Sequence, residues 1–293
     1  MRTEPLLVVD DVVVRFGGVT AVDHASFVAR SGRVTGLIGP NGAGKTTCFN
    51  VISGLQKPTS GRVRFGGRTI SHTPVHRRAR RGIGRTFQRL EAFGSLTVGD
   101  NVRVARDIRA GLLGAVRPSR GDVGGLLERV GIAAYADERA DSVPTGVARL
   151  LELARCLAGD PKLLLLDEPS SGQDETETEA FGVLLRDLAA EGRGILMVEH
   201  DMDLVMSVCD ELHVLDFGEV IATGTPAEIR SDPAVQRAYL GYSDAGSETR
   251  TDLQPVETTA VIPAVTPSTP RNSAEGALRA MSTDFHGDPG GTS

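Results

Sequence analysis

The chain has 293 residues, 40% hydrophobic and 24% charged, with a formal net charge of −6. It is long enough for a sizeable core. It lacks the run of about 18 uninterrupted apolar residues that would span a bilayer, and the basic excess of a nucleic-acid-binding surface.

The N-terminal stretch MRTEPLLVVDD has no continuous apolar core and no small-residue cleavage site, so it does not read as a secretory signal, and an intracellular protein is expected. From Leu6 to Gly39, the blocks LLVVDDVVVRF, AVDHASFVA and RVTGLIG alternate or run apolar between glycines and predict three strands. KTTCFNVISG (45–54) has a helical rhythm ending at glycine, and GRVRFGGRTI (61–70) predicts a hairpin about Gly66 and Gly67. From about Gln88 to Asp160 the pattern turns helical, with Thr97 as an N-cap and Leu150, Leu153, Ala154 and Leu157 on one helix face. KLLLLDEP (162–169) and GILMVEH (194–200) are apolar runs of the kind buried on both faces of a parallel sheet, with a helix between them. ELHVLDFGEVIATG (211–224) predicts a hairpin turning near Phe217, and a short helix over Asp232 to Leu240 closes the globule. Cys48, Cys156 and Cys209 are far apart in apolar helical stretches, which suits buried free thiols and a reducing compartment. Residues 243–293 are rich in Ser, Thr, Pro and Gly, hold seven acids and three arginines, and predict a disordered tail in which AEGALRAMS (274–282) could form a marginal helical turn.

GPNGAGKT, residues 39–46, fits the pattern G-x-x-x-x-G-K-[ST] between a predicted strand and a predicted helix. Glycines in such a loop let backbone N–H groups face a β-phosphate, Lys45 brings a point charge to the β and γ oxygens, and Thr46 brings a hydroxyl to Mg²⁺. The expected nucleotide contacts are Gly39, Pro40, Asn41, Gly42, Ala43, Gly44, Lys45, Thr46 and the adjoining Thr47. Asp167, at the end of a buried strand, is placed to hold magnesium through water, and Glu168 to orient the attacking water. His200 follows an apolar strand 32 residues after Glu168, which puts it at the same end of the sheet, where open α/β folds bind ligands. Gln88 falls where the helical segment begins and can contact the metal or the water. The run HRRARRGIGR (76–85) carries Arg77, Arg78, Arg80, Arg81 and Arg85 and reads first as a solvated helix face.

In this order, these residues resemble the nucleotide-binding subunits of ABC transporters over about residues 5–242. RFGG (15–18), GRTFQ (84–88), LELARCLA (151–158) and GTPAEIRSDPAVQRAYLG (224–241) resemble more narrowly the ATP-binding subunits of branched-chain amino acid importers. The resemblance implies a P-loop NTPase cassette of class α/β: a mixed RecA-like core, an N-terminal antiparallel β subdomain and a helical lobe inserted at about 89–160. It implies an ATPase with ATP and Mg²⁺ as cofactors, bound peripherally to the cytoplasmic face of the cell membrane. Its implied partners are a second, identical or related cassette, transmembrane permease subunits and an extracytoplasmic solute-binding protein, with no nucleic acid. By the same likeness Phe16 stacks on adenine, Asp174 lies in the loop after the catalytic carboxylate, and Gly146 contacts the γ-phosphate held by the opposite cassette. The signature stretch departs from the family: VPTGV (143–147) stands where LSGGQ is usual, and only Gly146 is retained. That departure leaves open a nucleotide-gated cassette of weak hydrolysis paired with a more active partner. In the family a short permease helix docks in a groove beside the arginine run, so that run could also meet the permease or anionic lipid.

Overall fold

The computed structural model describes residues 5–88, 91–113 and 122–244, all within the first of two units into which the chain divides, 1–247 and 248–293. Of the expected tail, residues 243 and 244 belong to the last helix; the rest of it, with its helical turn, lies outside the described residues. Among those residues, no helix is long and apolar enough to cross a membrane.

Alternating apolar residues build the first sheet. β1 (Pro5–Phe16) and β2 (Val19–Arg30) pair antiparallel, joined by β4 (Ser60–Phe65) and β5 (Arg68–Thr69) in the order β2-β1-β4-β5. Leu7, Val9, Val22, Phe27, Val63 and Phe65 point inward from it. A second, six-stranded sheet runs β10-β9-β3-β8-β7-β6, from β3 (Val34–Ile38), β6 (Ile83–Arg85), β7 (Leu163–Asp167), β8 (Gly194–Val198), β9 (Glu211–Asp216) and β10 (Glu219–Gly224). The strands from β9 to β6 are parallel and β10 is antiparallel. Every residue of β3, β7 and β8 is buried, as continuous apolar runs in a doubly covered sheet require.

Helix α1 (Lys45–Ser53) fills one face with Phe49 and Ile52, under the antiparallel sheet. The other face is covered by α5 (Thr145–Ala158), α6 (Glu175–Ala190) and α7 (Met202–Val208), through Leu151, Phe181, Leu185 and Leu204. Between β6 and β7 the chain makes a helical lobe of α3 (Val98–Leu113), α4 (Val123–Arg129), a single 3-10 turn and α5. Thr97 caps α3 as the sequence predicts, its hydroxyl accepting from Asp100 N–H at 3.0 Å.

Three local readings change. β6 is a strand of three residues at the end of the run that reads as a solvated helix face, too short to show a period-2 pattern. The closing helix is two helices, α8 (Pro226–Ser231) and α9 (Pro233–Asp244): a Thr225–Glu228 capping box starts α8 before Asp232, and Asp232, extended ahead of Pro233, divides the two. The arginine run is not one solvated face. Arg77, Arg80 and Arg81 are exposed, but Arg78, on α2 (Val75–Arg80), is buried. Its guanidinium donates to the carbonyls of Val51 (2.6 Å), Ile52 (2.7 Å), Ser71 (2.9 Å) and Thr73 (2.8 Å). The last carbonyls of a helix have no partner within it, so Arg78 closes the end of α1. Burial pulls its pKa down to about 10, with Arg81 adding to the effect.

Cys48, Cys156 and Cys209 are free, and burial raises each thiol to about 12. Thiolate is the reactive form. Native protein at mildly alkaline pH should therefore resist iodoacetamide at all three positions, and mass spectrometry should show full labelling only after guanidinium unfolding. Rapid labelling of the native chain would contradict this packing.

Candidate functional site

The site is built at the carboxyl ends of three neighbouring strands. β3 delivers its last residue, Ile38, to a loop that wraps round and enters α1. Two glycines make that path possible. Gly39 has φ 147°, and a Cβ there would lie 1.9 Å from the carbonyl oxygen of Leu215; Gly44 has φ 102°, and its Cβ would lie 2.4 Å from that of Ala21. Any larger residue drives the loop off β2 and β9. The first turn of α1 leaves backbone N–H groups without intrahelical acceptors and adds the positive end of the helix dipole, a natural anion seat. Lys45 is buried, and its ammonium donates to the carbonyls of Gly39 (2.6 Å) and Pro40 (2.9 Å). Burial lowers its pKa; the nearby charges of Glu168 and Asp167 act against that.

The cleft over this loop has a volume of about 290 Å³ and is lined by Asn41 to Thr47, Ala21, Gln88, Glu168, Val198 and His200. Glu168 is held from two sides. Gln88 Nε2 donates to its Oε2 at 3.1 Å, and His200 Nε2 lies 2.9 Å from its Oε1. Its backbone sits at φ 49°, a left-handed conformation unusual for a side-chain-bearing residue, fixed by a bond from its N–H to Val198 O at 2.9 Å. Three segments far apart in sequence thus meet on one carboxylate.

Asp167 ends β7 and is buried. Burial raises its pKa, while the charge and hydrogen bond of Arg85 act against that. Arg85 Nη2 donates to Asp167 Oδ2 at 3.0 Å.

The structure brings together the phosphate loop, Thr46, Thr47, Gln88, Glu168 and His200, with Asp167 directly behind Glu168. It keeps Phe16, Gly146 and Asp174 out of that cleft. Phe16 is half-exposed on the hairpin whose second strand supplies Ala21. Gly146 is buried in the first turn of α5, where a Cβ would lie 3.0 Å from Glu177 Oε2. Asp174 caps α6: its carboxylate accepts from Glu177 N–H at 2.8 Å, and the Glu177 carboxylate accepts from Asp174 N–H at 3.1 Å. Gly146 and Asp174 thus both lie against Glu177.

Sequence reasoning missed Glu199. This buried carboxylate accepts from Ser170 N–H (2.8 Å), Ser170 Oγ (2.7 Å) and His200 N–H (3.0 Å), tying the loop after Glu168 to the residue that carries His200. The signal was there: an acid ending an otherwise apolar buried run.

Comparisons with known proteins agree with this geometry. The family model described as "ABC transporter" matches residues 22–171, and one described as "Branched-chain amino acid ATP-binding cassette transporter" matches residues 219–245. The chain is 39% identical over 252 residues to the high-affinity branched-chain amino acid transport ATP-binding protein LivG of Salmonella typhimurium, covering 82% of this chain and 99% of the relative. It is 35% identical over 236 residues to the lipopolysaccharide export system ATP-binding protein LptB of Haemophilus influenzae, covering 80% and 97%. A crystal structure of the ADP conformation of an ATP-binding cassette from an ABC transporter superposes with a TM-score of 0.72 at 30% identity, covering 82% of this chain and 100% of that one. With its phosphate loop, doubly held Glu168 and inserted helical lobe, this chain belongs to the ABC transporter family, as an ATP-binding, ATP-hydrolysing cassette.

Proposed function

We propose that the chain powers an importer of branched-chain amino acids or similar small polar solutes, working from the cytoplasmic face of the membrane as one of two cassettes. The observation that carries the hydrolytic part is the grip of Gln88 and His200 on Glu168, at the rim of the phosphate-loop cleft. Held so, Glu168 orients and deprotonates the attacking water, and His200 and Gln88 keep its two oxygens aimed. Lys45 and the free backbone N–H groups at the start of α1 take the phosphates, and Phe16, beside the cleft, offers its ring to adenine.

The residues at hand fit Mg²⁺. Thr46 hydroxyl, Asp167 carboxylate and the Gln88 amide oxygen are hard donors, and magnesium takes one or two such groups with phosphates and waters. Among the described residues no group of three or more His, Cys, Asp or Glu could form an all-protein cage. When bound, the ion supplies neutralising charge to the transferred phosphoryl group.

Gly146 and Asp174 sit outside the chain's own cleft, as two cassettes closing head to tail require: each would present the first turn of α5 to the nucleotide held by the other. That turn keeps unpaired N–H groups and the positive end of the helix dipole despite Pro144 and Val147. A groove lined by Phe87, Phe93 and Ile108, all exposed, lies between the core and the lobe and suits an apolar permease helix.

The solute class is supported by the names of the LivG relatives and by the match over residues 219–245. LptB, named for lipopolysaccharide export, favours a second reading. Tagged chain purified from its native membrane decides. Permease subunits should co-purify, and in proteoliposomes, with their solute-binding protein, leucine should stimulate ATPase. Isolation without a permease overturns the transporter assignment. A permease complex that ignores amino acids but answers to a lipid overturns the solute.

A further inference from the structure

We propose that Arg85 is a positioning residue for hydrolysis: it aims Asp167 and locks the Phe87–Gln88 segment to it. This rests on the reading of Asp167 as the metal-side carboxylate. The guanidinium is nearly buried, with 8% of the side chain exposed. Nη2 holds Asp167 Oδ2 at 3.0 Å, and Nη1 reaches back to α1, donating to Asn50 Oδ1 (2.8 Å) and Ser53 Oγ (3.0 Å). Its carbon lies 5.0 Å from the centre of the Phe87 ring and 5.6 Å from that of Phe49. Its carbonyl accepts from Cys156 Sγ on α5 at 3.1 Å.

Only a planar, forked cation meets these demands together; an ammonium is a single point. A buried ion pair is weak evidence for stability, because desolvation offsets the attraction and apolar side chains of the same volume often serve as well. The arrangement does have a positional effect. Asp167 Oδ2 is taken, and Oδ1 accepts no hydrogen bond from the described residues. The next residue continues the lock: Thr86 N–H donates to Leu165 O (3.0 Å) and Thr86 Oγ1 accepts from Asp167 N–H (3.3 Å). Two residues on, Gln88 grips Glu168. A shift of Phe87, exposed in the lobe-side groove, is therefore transmitted to Asp167 and to Glu168 together.

The test is calorimetric titration of the full chain with ATP, in EDTA and in excess magnesium, alongside thermal melts. The quantity read is the gain in affinity that magnesium confers. Arg85→Lys should lower that gain about 10-fold, the effect typical of losing a partner that orients a metal ligand, with affinity in EDTA unchanged. Should Arg85→Lys fail to fold, Asn50→Ala removes one anchor without touching the carboxylate, and the gain should still fall, by about 3-fold. A lower melting temperature with an unchanged magnesium gain means a purely structural role and overturns the proposal. Asp167→Asn separates the two readings. If it loses the gain while the Arg85 and Asn50 variants keep it, the proposal alone fails. If it keeps the gain, the metal-side reading fails and the proposal with it.

Discussion

Glu168→Gln should lower ATP turnover by about 10³-fold and leave ATP binding in place. The substitution keeps shape and removes the basic oxygen. The amide oxygen can still accept from Gln88 Nε2, while the new NH2 pairs with His200 Nε2 only when that nitrogen is unprotonated; neither the phosphate loop nor Lys45 is touched. The left-handed backbone of residue 168 tolerates glutamine as it tolerates glutamate, since both carry a Cβ. The loss is therefore one of chemistry. Phosphate release under saturating ATP, compared with equilibrium titration of the same preparation, separates the two quantities. Because ATP persists, the variant should also accumulate as closed dimer on size exclusion. Turnover within a few-fold of the parent would remove Glu168 from the mechanism and shift the water-orienting role to another group.

The second large effect is on stability. Arg78→Ala should destabilise the fold by on the order of 4 kcal/mol, read from the denaturant midpoint. Four carbonyls lose a charged donor at once, two of them at the end of α1, and no water has easy access to replace it. Truncating Arg77, one residue earlier and exposed, should change stability by no more than about 0.5 kcal/mol. The contrast isolates the cap from the charge. Equal effects at both positions would show that α1 does not depend on it. Since α1 carries Lys45 and Thr46 at its other end, a loosened Arg78 variant should also bind nucleotide less tightly.

The phosphate loop was legible because its geometry is local: glycines, lysine and hydroxyl are read within eight consecutive residues between a strand and a helix. Glu168 and His200 were legible for a related reason, since two apolar runs that both belong to a parallel sheet end at the same edge. The roles of Arg78 and Arg85 were not. Whether a cation is buried depends on which acceptors surround it, and two of Arg78's four and two of Arg85's three come from α1, 26 to 35 residues away, the third of Arg85's from β7, 82 residues away. Sequence pattern weighs polarity position by position, so such a residue looks like its solvated neighbours. Glu199 escaped because His200 beside it offered the more familiar chemistry. β6 escaped because three residues carry no measurable period.

Helix α5 is the return limb of the connection between β6 and β7, which are adjacent and parallel. Near its far end it is fastened to the core through Cys156 and Arg85, while Thr145 at its tip is exposed. Its 14 residues make a rod about 21 Å long. A rocking of about 10° around Cys156, about 16 Å from Thr145, would carry the tip about 3 Å, a full hydrogen-bond length. Such a helix would act as a lever, in which a modest angular change at the groove becomes a displacement of its first turn at the opposite end.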